Sequence, residues 1–169
     1  MNVVKKMGEL YDSLLDILMT IACILLAFAM FLISLDVILR YGFNSPLGIT
    51  MVATEFILVA IVSLGSAWLL REEGHVTIDI LLEKFPEKLQ YFINGITSII
   101  SAFVLLTIFV FGIPELSDLI VTKATVMNTD APRYIYVLPL NISYMLFGIQ
   151  FVRRSNANFK KYAQMIKKG

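Results

Sequence analysis

The chain has 169 residues, of which 58 % are hydrophobic and only 16 % are charged, and its formal net charge is +1. A soluble domain carries about a quarter charged residues, so this composition argues against a soluble globular protein. We predict no nucleic-acid partner, because the basic residues of the C-terminal tail are ordinary for a segment that follows a membrane span on the cytoplasmic side. The single cysteine excludes an intrachain disulfide and a CxxC redox centre.

Long uncharged runs separate the clusters of charged residues. A helix needs about 20 mainly apolar residues to cross a bilayer, and the runs lack the alternation of barrel strands. We therefore predict an all-α integral membrane protein, with residues 1–169 forming a single membrane domain of four transmembrane helices. The second helix begins near Ile49 and includes Glu55. The four predicted spans are 14–39, 49–70, 89–113 and 134–152.

Basic residues are distributed unequally between the two sides of the predicted membrane. Of the 14 lysines and arginines, eleven fall on the side of the termini and three on the other side. Basic residues are enriched in cytoplasmic segments, so we expect both termini to be cytoplasmic. The segment Met1–Asp16 contains three acidic residues and no small-residue cleavage site, so we expect the first helix to be retained.

The cytoplasmic connection between the second and third spans has an amphipathic pattern. Ile78, Leu81, Leu82 and Phe85 follow the i, i+3, i+4, i+7 spacing of one helix face. We predict a short in-plane cytoplasmic helix over residues 77–85. Its apolar face would lie in lipid or pack on a neighbouring protein helix, and the spacing fits both arrangements.

Ionisable residues in or near the spans are candidates for a functional site, because burying a charge in a membrane is costly. Asp36 and Arg40 are four residues apart on one helix, which favours a structural ion pair over direct anion binding. Glu55 would lie on the order of 9 Å below the start of its helix. It fits a pair with a basic residue, such as Arg40 across the short turn, or the proton-carrying carboxylate of a small exporter.

The end of the second span carries a further group of candidates. Arg71 would lie in the last helical turn, where a cation stabilises the negative end of the helix dipole, and Gly74 suits the position just past a helix end. His75 would bond to Asp79 or to a helix-end carbonyl.

The same residues argue against an enzyme. A single histidine excludes bis-histidine haem ligation and a histidine-rich metal site within this chain, which weakens a third interpretation, the membrane anchor of a redox enzyme. The sequence also lacks a nucleophile–base pattern and a glycine-rich phosphate loop. We predict no enzymatic activity and no cofactor.

The stretch from Asp36 to Pro86 resembles the small membrane subunit, or Q subunit, of tripartite ATP-independent periplasmic (TRAP) transporters. The order and spacing of short motifs carry the resemblance, together with the four-span layout. The motifs are Asp-Val-Ile-Leu-Arg-Tyr-Gly-Phe-Asn-Ser-Pro-Leu at 36–47, which includes Asn44, Leu-Gly at 64–65, Arg-Glu-Glu-Gly-His-Val-Thr-Ile-Asp at 71–79, and Phe-Pro at 85–86.

One part of the chain departs from the family pattern. The family often begins its second helix with a tryptophan and a pair of glutamates, whereas this chain has Ile49, Met51 and Val52 there. Glu55 follows about one turn later. No role of that glutamate pair is transferred to this chain.

The resemblance implies a division of labour among three components of a bacterial inner-membrane system. A large membrane subunit would move the substrate with sodium, and a periplasmic binding protein would deliver an organic acid such as a C4-dicarboxylate or sialic acid. This chain would scaffold the large subunit among membrane lipids and help to dock the binding protein, with sodium coupling residing in the large subunit. The alternative is a self-sufficient proton-coupled exporter that works as a homodimer through Glu55.

Overall fold

The computed structural model describes residues 2–72, 85–126 and 131–168, which are helical apart from short connections and one isolated bridge. Helix α1 spans Asn2–Phe43, α2 spans Thr50–Arg71, α3 spans Glu87–Thr122 and α4 spans Tyr134–Lys168. All four are long and apolar enough to cross a membrane, which confirms the predicted all-α membrane protein. The predicted in-plane helix over 77–85 lies, apart from Phe85, outside the described residues.

Three of the helices extend well beyond the predicted spans. Helix α1 starts at Asn2 and not at residue 14, α3 ends at Thr122 and not at residue 113, and α4 ends at Lys168 and not at residue 152. The predicted spans followed the uncharged apolar runs, whereas the helices continue past them into segments that contain charged residues. With 42 residues, α1 is about 63 Å long, roughly twice the hydrocarbon thickness of a bilayer.

The helices pack in the order α1, α2, α4, α3. Helix α2 contacts α1 and α4, and α4 makes its most extensive contact with α3. Helices α1 and α3 therefore form the two flanks of the described bundle, and both carry many exposed large apolar side chains.

Small side chains allow these helices to approach closely. Helix α1 buries Ala22 and Ala29, one heptad apart, and α2 buries Ala60, Ser63 and Ala67. Lipid tails are as apolar as leucine, so helix association in a bilayer depends on close packing and interhelical hydrogen bonds.

Two glycines determine how closely α3 approaches α4. A Cβ atom at Gly95 would lie 2.9 Å from ring carbons of Phe159, and a Cβ atom at Gly112 would overlap the amide group of Asn141. Asn141 is buried, and its Nδ2 donates to the carbonyl oxygen of Phe109 at 3.4 Å. A larger residue at either glycine would require the side chain of Phe159 or Asn141 to move.

Candidate functional site

Charged residues from three helices meet at the end of the bundle that holds both termini. This terminal cluster consists of Asp12 and Asp16 on α1, Arg71 on α2 and Arg153 on α4. Arg153 donates through Nη1 and Nη2 to Oδ1 and Oδ2 of Asp12, at 2.5 and 2.9 Å. Arg71 donates to the Asp16 carboxylate and, at 2.9 Å, to the backbone carbonyl of Asp12. Each arginine therefore ties α1 to a different helix.

Two aromatic side chains complete the terminal cluster. Nε1 of Trp68 donates to Oδ1 of Asp16 at 3.0 Å, and the Arg71 guanidinium lies 5.9 Å from the centre of the Trp68 ring system. The Arg153 guanidinium lies 5.0 Å from the ring centre of Tyr11, whose hydroxyl donates to a backbone carbonyl of α4 at 2.7 Å. Cation–π contacts of this kind add to the charge-assisted hydrogen bonds.

A second group of polar contacts lies at the opposite end of the bundle, around the turn between α1 and α2. This turn cluster consists of Asp36, Arg40, Leu47 and Thr50. Asp36 is buried; its Oδ2 accepts from Arg40 Nη2 at 2.7 Å and its Oδ1 accepts from the Leu47 N–H at 2.8 Å. The Thr50 hydroxyl donates to the Leu47 carbonyl at 3.0 Å, where α2 begins. The structure confirms the predicted Asp36–Arg40 pair and adds a second role for Asp36 as an acceptor for the turn backbone.

Asn44 lies in the same turn and adopts a left-handed backbone conformation, with φ of 55°. Asparagine tolerates this conformation better than most residues other than glycine. Asn44 therefore suits the chain reversal that follows α1.

Glu55 lies on an exposed part of α2, five residues after the helix begins at Thr50. The predicted pairing of Glu55 with Arg40 is wrong. Arg40 bonds to Asp36, which is one turn away on the same helix and is therefore the nearer acceptor. Within residues 2–72, 85–126 and 131–168, Glu55 forms no ion pair.

The remaining candidate residues lie in the last turn of α2 or after it. Arg71 lies in the last turn of the helix, as predicted. Its bonds to α1 were not predicted. Gly74, His75 and Asp79 lie outside the described residues, so the roles suggested for them stay predictions.

Among residues 2–72, 85–126 and 131–168, no group of three or more His, Cys, Asp or Glu side chains could hold a metal ion. A cavity of about 310 Å³ between α1 and α2 is lined almost entirely by apolar residues. A second cavity, of about 440 Å³ between α3 and α4, includes the polar residues Thr107, Glu115, Asn141 and Tyr144.

The chain is similar to one known protein family and to one curated protein of that family. The model of the DctQ component of tripartite ATP-independent periplasmic transporters matches residues 29–160. A TRAP transporter small permease protein of Haemophilus influenzae is 32 % identical over 94 residues, which cover 55 % of this chain and 56 % of that protein. The chain thus matches about half the length of this relative. No solved structure matches the chain.

The region matched by the family model contains all of the turn cluster but only part of the terminal cluster. It includes the whole turn cluster, together with Arg71 and Arg153 of the terminal cluster. Asp12 and Asp16, the carboxylates of the terminal cluster, precede the matched region.

Proposed function

Since the chain belongs to the DctQ component family of tripartite ATP-independent periplasmic transporters, we propose that it is the small membrane subunit of a sodium-coupled, binding-protein-dependent transporter. The substrate is an organic acid of the C4-dicarboxylate or sialic acid type. In this proposal the chain scaffolds a large translocating subunit and helps to dock a periplasmic binding protein. It resides in the bacterial inner membrane with both termini in the cytoplasm, and sodium binds to the large subunit.

The main support for a scaffold role is that arginines beside the spans bond to carboxylates of this same chain. An anion that crosses a bilayer needs hydrogen-bond donors to replace its water. Three of the four arginines that directly adjoin the predicted spans already bond to carboxylates: Arg71 and Arg153 in the terminal cluster, and Arg40 in the turn cluster. Deeper in the bundle, the hydroxyls of Ser66 and Ser143 lie 3.0 Å apart and bond to each other. These groups either hold helices together or, in the case of Arg40, bond within the turn cluster.

The turn end of the bundle supports the proposed docking of the binding protein. Tyr41 and Phe43 are 84 % and 73 % exposed beside the turn cluster. Lys123 and Arg133 are also exposed, at the ends of the connection between α3 and α4. With both termini in the cytoplasm, these exposed aromatic and basic residues at the turn end of the bundle face the periplasm.

The alternative function, a proton-coupled exporter that acts through Glu55, has weaker support. Glu55 lies about 8 Å along α2 from its first residue, near one surface of the membrane. Coupling sites of ion-driven carriers lie near the midplane, where helices are broken. Helix α2 is continuous from Thr50 to Arg71.

A component-omission transport assay tests the proposed function. Liposomes with an inward sodium gradient contain this chain, the large subunit of the same transporter and its binding protein, and each component is omitted in turn. We expect radiolabelled organic acid to accumulate only when all three are present, and a potassium gradient of equal size serves as the control. Accumulation by this chain alone, driven by sodium or by protons, would contradict the proposal.

A further inference from the structure

The cavity between α3 and α4, called the α3–α4 cavity below, lies in the half of the bundle nearer the turn cluster. Its α3 wall runs from Thr107 to Glu115 and its α4 wall from Val137 to Tyr144. Both walls are therefore about 10 to 12 Å long. Its volume of about 440 Å³ falls within the range of about 300 to 1,000 Å³ that is usual for small-molecule sites.

A buried amide with an unused acceptor lines this cavity. Asn141 is only 6 % exposed, and its Nδ2 lies against Gly112 and donates to the Phe109 carbonyl at 3.4 Å. Its Oδ1 accepts no hydrogen bond from residues 2–72, 85–126 and 131–168. A buried acceptor without a donor costs free energy, and the hydrocarbon of a bilayer offers no donor. A ligand with an N–H or O–H group would remove this cost.

Two further polar side chains line the cavity on either side of Asn141. Tyr144 lies three residues further along α4, about 4.5 Å deeper in the bundle, and its hydroxyl makes no hydrogen bond within the described part of the chain. Glu115 is the first charged residue after the uncharged run Leu89–Pro114, which places it at the level of the lipid headgroups. Its carboxylate forms no ion pair with the described residues.

The charge of the lining determines which ligands fit. Glu115 is its one ionisable carboxylate, and no lysine, arginine or histidine lines the cavity. An organic acid or an anionic headgroup would meet a like charge there and no cation. The acceptors at Glu115 and Asn141 instead suit a cation with several N–H donors, such as a primary ammonium group, which has three.

An apolar recess continues from the cavity toward the middle of the bundle. It has a volume of about 270 Å³, shares Thr107 and Phe111 with the cavity, and extends along α3 to Phe103. Phe103 is exposed, so the recess opens to the surrounding hydrocarbon. A ligand that fills both spaces has a polar end near Glu115 and a long apolar part.

We propose that the α3–α4 cavity is a binding site for a phospholipid with a primary amine in its headgroup, of the phosphatidylethanolamine type. The ammonium group donates to the Glu115 carboxylate and to Oδ1 of Asn141. The Tyr144 hydroxyl donates to an ester oxygen of the glycerol region, and one acyl chain lies in the recess beside Phe103. The proposed orientation of the chain assigns this lipid to the periplasmic leaflet, whereas the site itself does not depend on the proposed function.

Lipid add-back to the full chain tests the headgroup preference. The chain is purified in mild detergent, stripped of lipid, and titrated with lipids of identical acyl chains while native mass spectrometry counts the bound molecules. We expect phosphatidylethanolamine to bind about tenfold more tightly than phosphatidylglycerol and about fivefold more tightly than phosphatidylcholine, whose trimethylated nitrogen has no N–H donor. Equal affinities would overturn the inference. Binding of free phosphoethanolamine as tight as that of the lipid would also overturn it, because the site would then bind a soluble amine.

Matched variants test the residues of the site. We expect Glu115→Gln to weaken binding of phosphatidylethanolamine about tenfold, and Asp118→Asn, which removes the same charge from α3 outside the cavity, to stay within about twofold. Tyr144→Phe removes only an unpaired hydroxyl, so the fold is retained, and we expect binding about threefold weaker. Tyr162→Phe, at the other end of α4, is its control. Equal effects of a site variant and its control would overturn the inference.

Photocrosslinking in intact membranes tests what occupies the cavity when all partners are present. A photoreactive amino acid is placed at Ile108, which lines the cavity, or at Ile113, which does not; these side chains are 43 % and 51 % exposed. We expect adducts from Ile108 to be enriched in phosphatidylethanolamine about threefold over those from Ile113, because a bound lipid stays in contact with its site. Adducts of the same lipid composition from both positions, or a protein adduct as the main product from Ile108, would overturn the inference.

Discussion

The terminal cluster and the turn cluster both pair carboxylates with arginines at an edge of the membrane, but they stabilise different levels of structure. In the terminal cluster the side-chain partners are 55 and 141 residues apart in sequence and join three helices. In the turn cluster Asp36 bonds to groups four and eleven residues away and shapes one chain reversal. Charged residues near a membrane surface can thus fix either the packing of helices or the path of a single turn.

The largest effect is expected from breaking the contact between α1 and α4. Replacing Arg153 by Met removes two charge-assisted hydrogen bonds and leaves Asp12 without its partner, so we expect the free energy of unfolding to fall by about 2 kcal/mol. The neighbouring substitution Arg154→Met is the control, with a change within about 0.5 kcal/mol. Thermal unfolding in mild detergent, followed by circular dichroism, measures both. Equal losses would show that the terminal cluster does not hold α1 on α4.

A smaller effect is expected in the turn cluster, where two substitutions separate the roles of Asp36. Asp36→Asn weakens the acceptor for both Arg40 and the Leu47 N–H, and we expect a loss of about 1 kcal/mol. Arg40→Met leaves the bond to Leu47 in place, and the Arg40 side chain is 57 % exposed, so we expect at most about 0.5 kcal/mol. The same unfolding assay applies. A larger loss for Arg40→Met would mean that the ion pair, and not the turn, is the main contribution of Asp36.

Double-mutant cycles sharpen the comparison by isolating one pair from each cluster. For Asp16 and Arg71 we expect a coupling energy of about 1 kcal/mol, because each side chain also bonds to Trp68 or to α1 backbone and is held in place. For Asp36 and Arg40, which lie on one helix with the Arg40 side chain exposed, we expect about 0.3 kcal/mol. If the second coupling equals the first, the distinction between tertiary and local clusters is wrong.

The smallest effect is expected at Glu55, which belongs to neither cluster. Glu55→Gln removes a charge that has no ion-pair partner among the described residues, so we expect uptake by the complete transporter to remain above about a third of wild type. Sodium-driven uptake into membrane vesicles is measured at matched expression. Complete loss of uptake with normal assembly would instead support the exporter interpretation.

The sequence allowed prediction of those features that depend on local spacing. Four apolar runs predicted four membrane helices, and the four-residue separation of Asp36 and Arg40 predicted their pair. The position of Arg71 in the last turn of α2 followed from the end of an apolar run. Each of these depends on residues within one or two helical turns, where helix geometry alone determines the neighbours.

The terminal cluster was not predicted, because its partners come from separate helices whose packing order is not encoded in local spacing. One signal was available. Asp12 and Asp16 are acidic residues close to the start of the first apolar run, and carboxylates beside a span usually need a partner. The error at Glu55 has a different origin: a pair with Arg40 was expected across the short turn, but Arg40 bonds to Asp36, four residues away on its own helix.

The central claim is that the charged residues of this chain hold its helices together and take no part in moving the substrate. The most direct test replaces both members of one terminal pair by apolar residues, as Asp12→Leu with Arg153→Met, in the complete transporter. Exchanging an ion pair for apolar side chains is often close to neutral for stability. We therefore expect normal assembly and sodium-driven uptake above about half of wild type. Loss of uptake in a double variant that folds and assembles normally would contradict the claim.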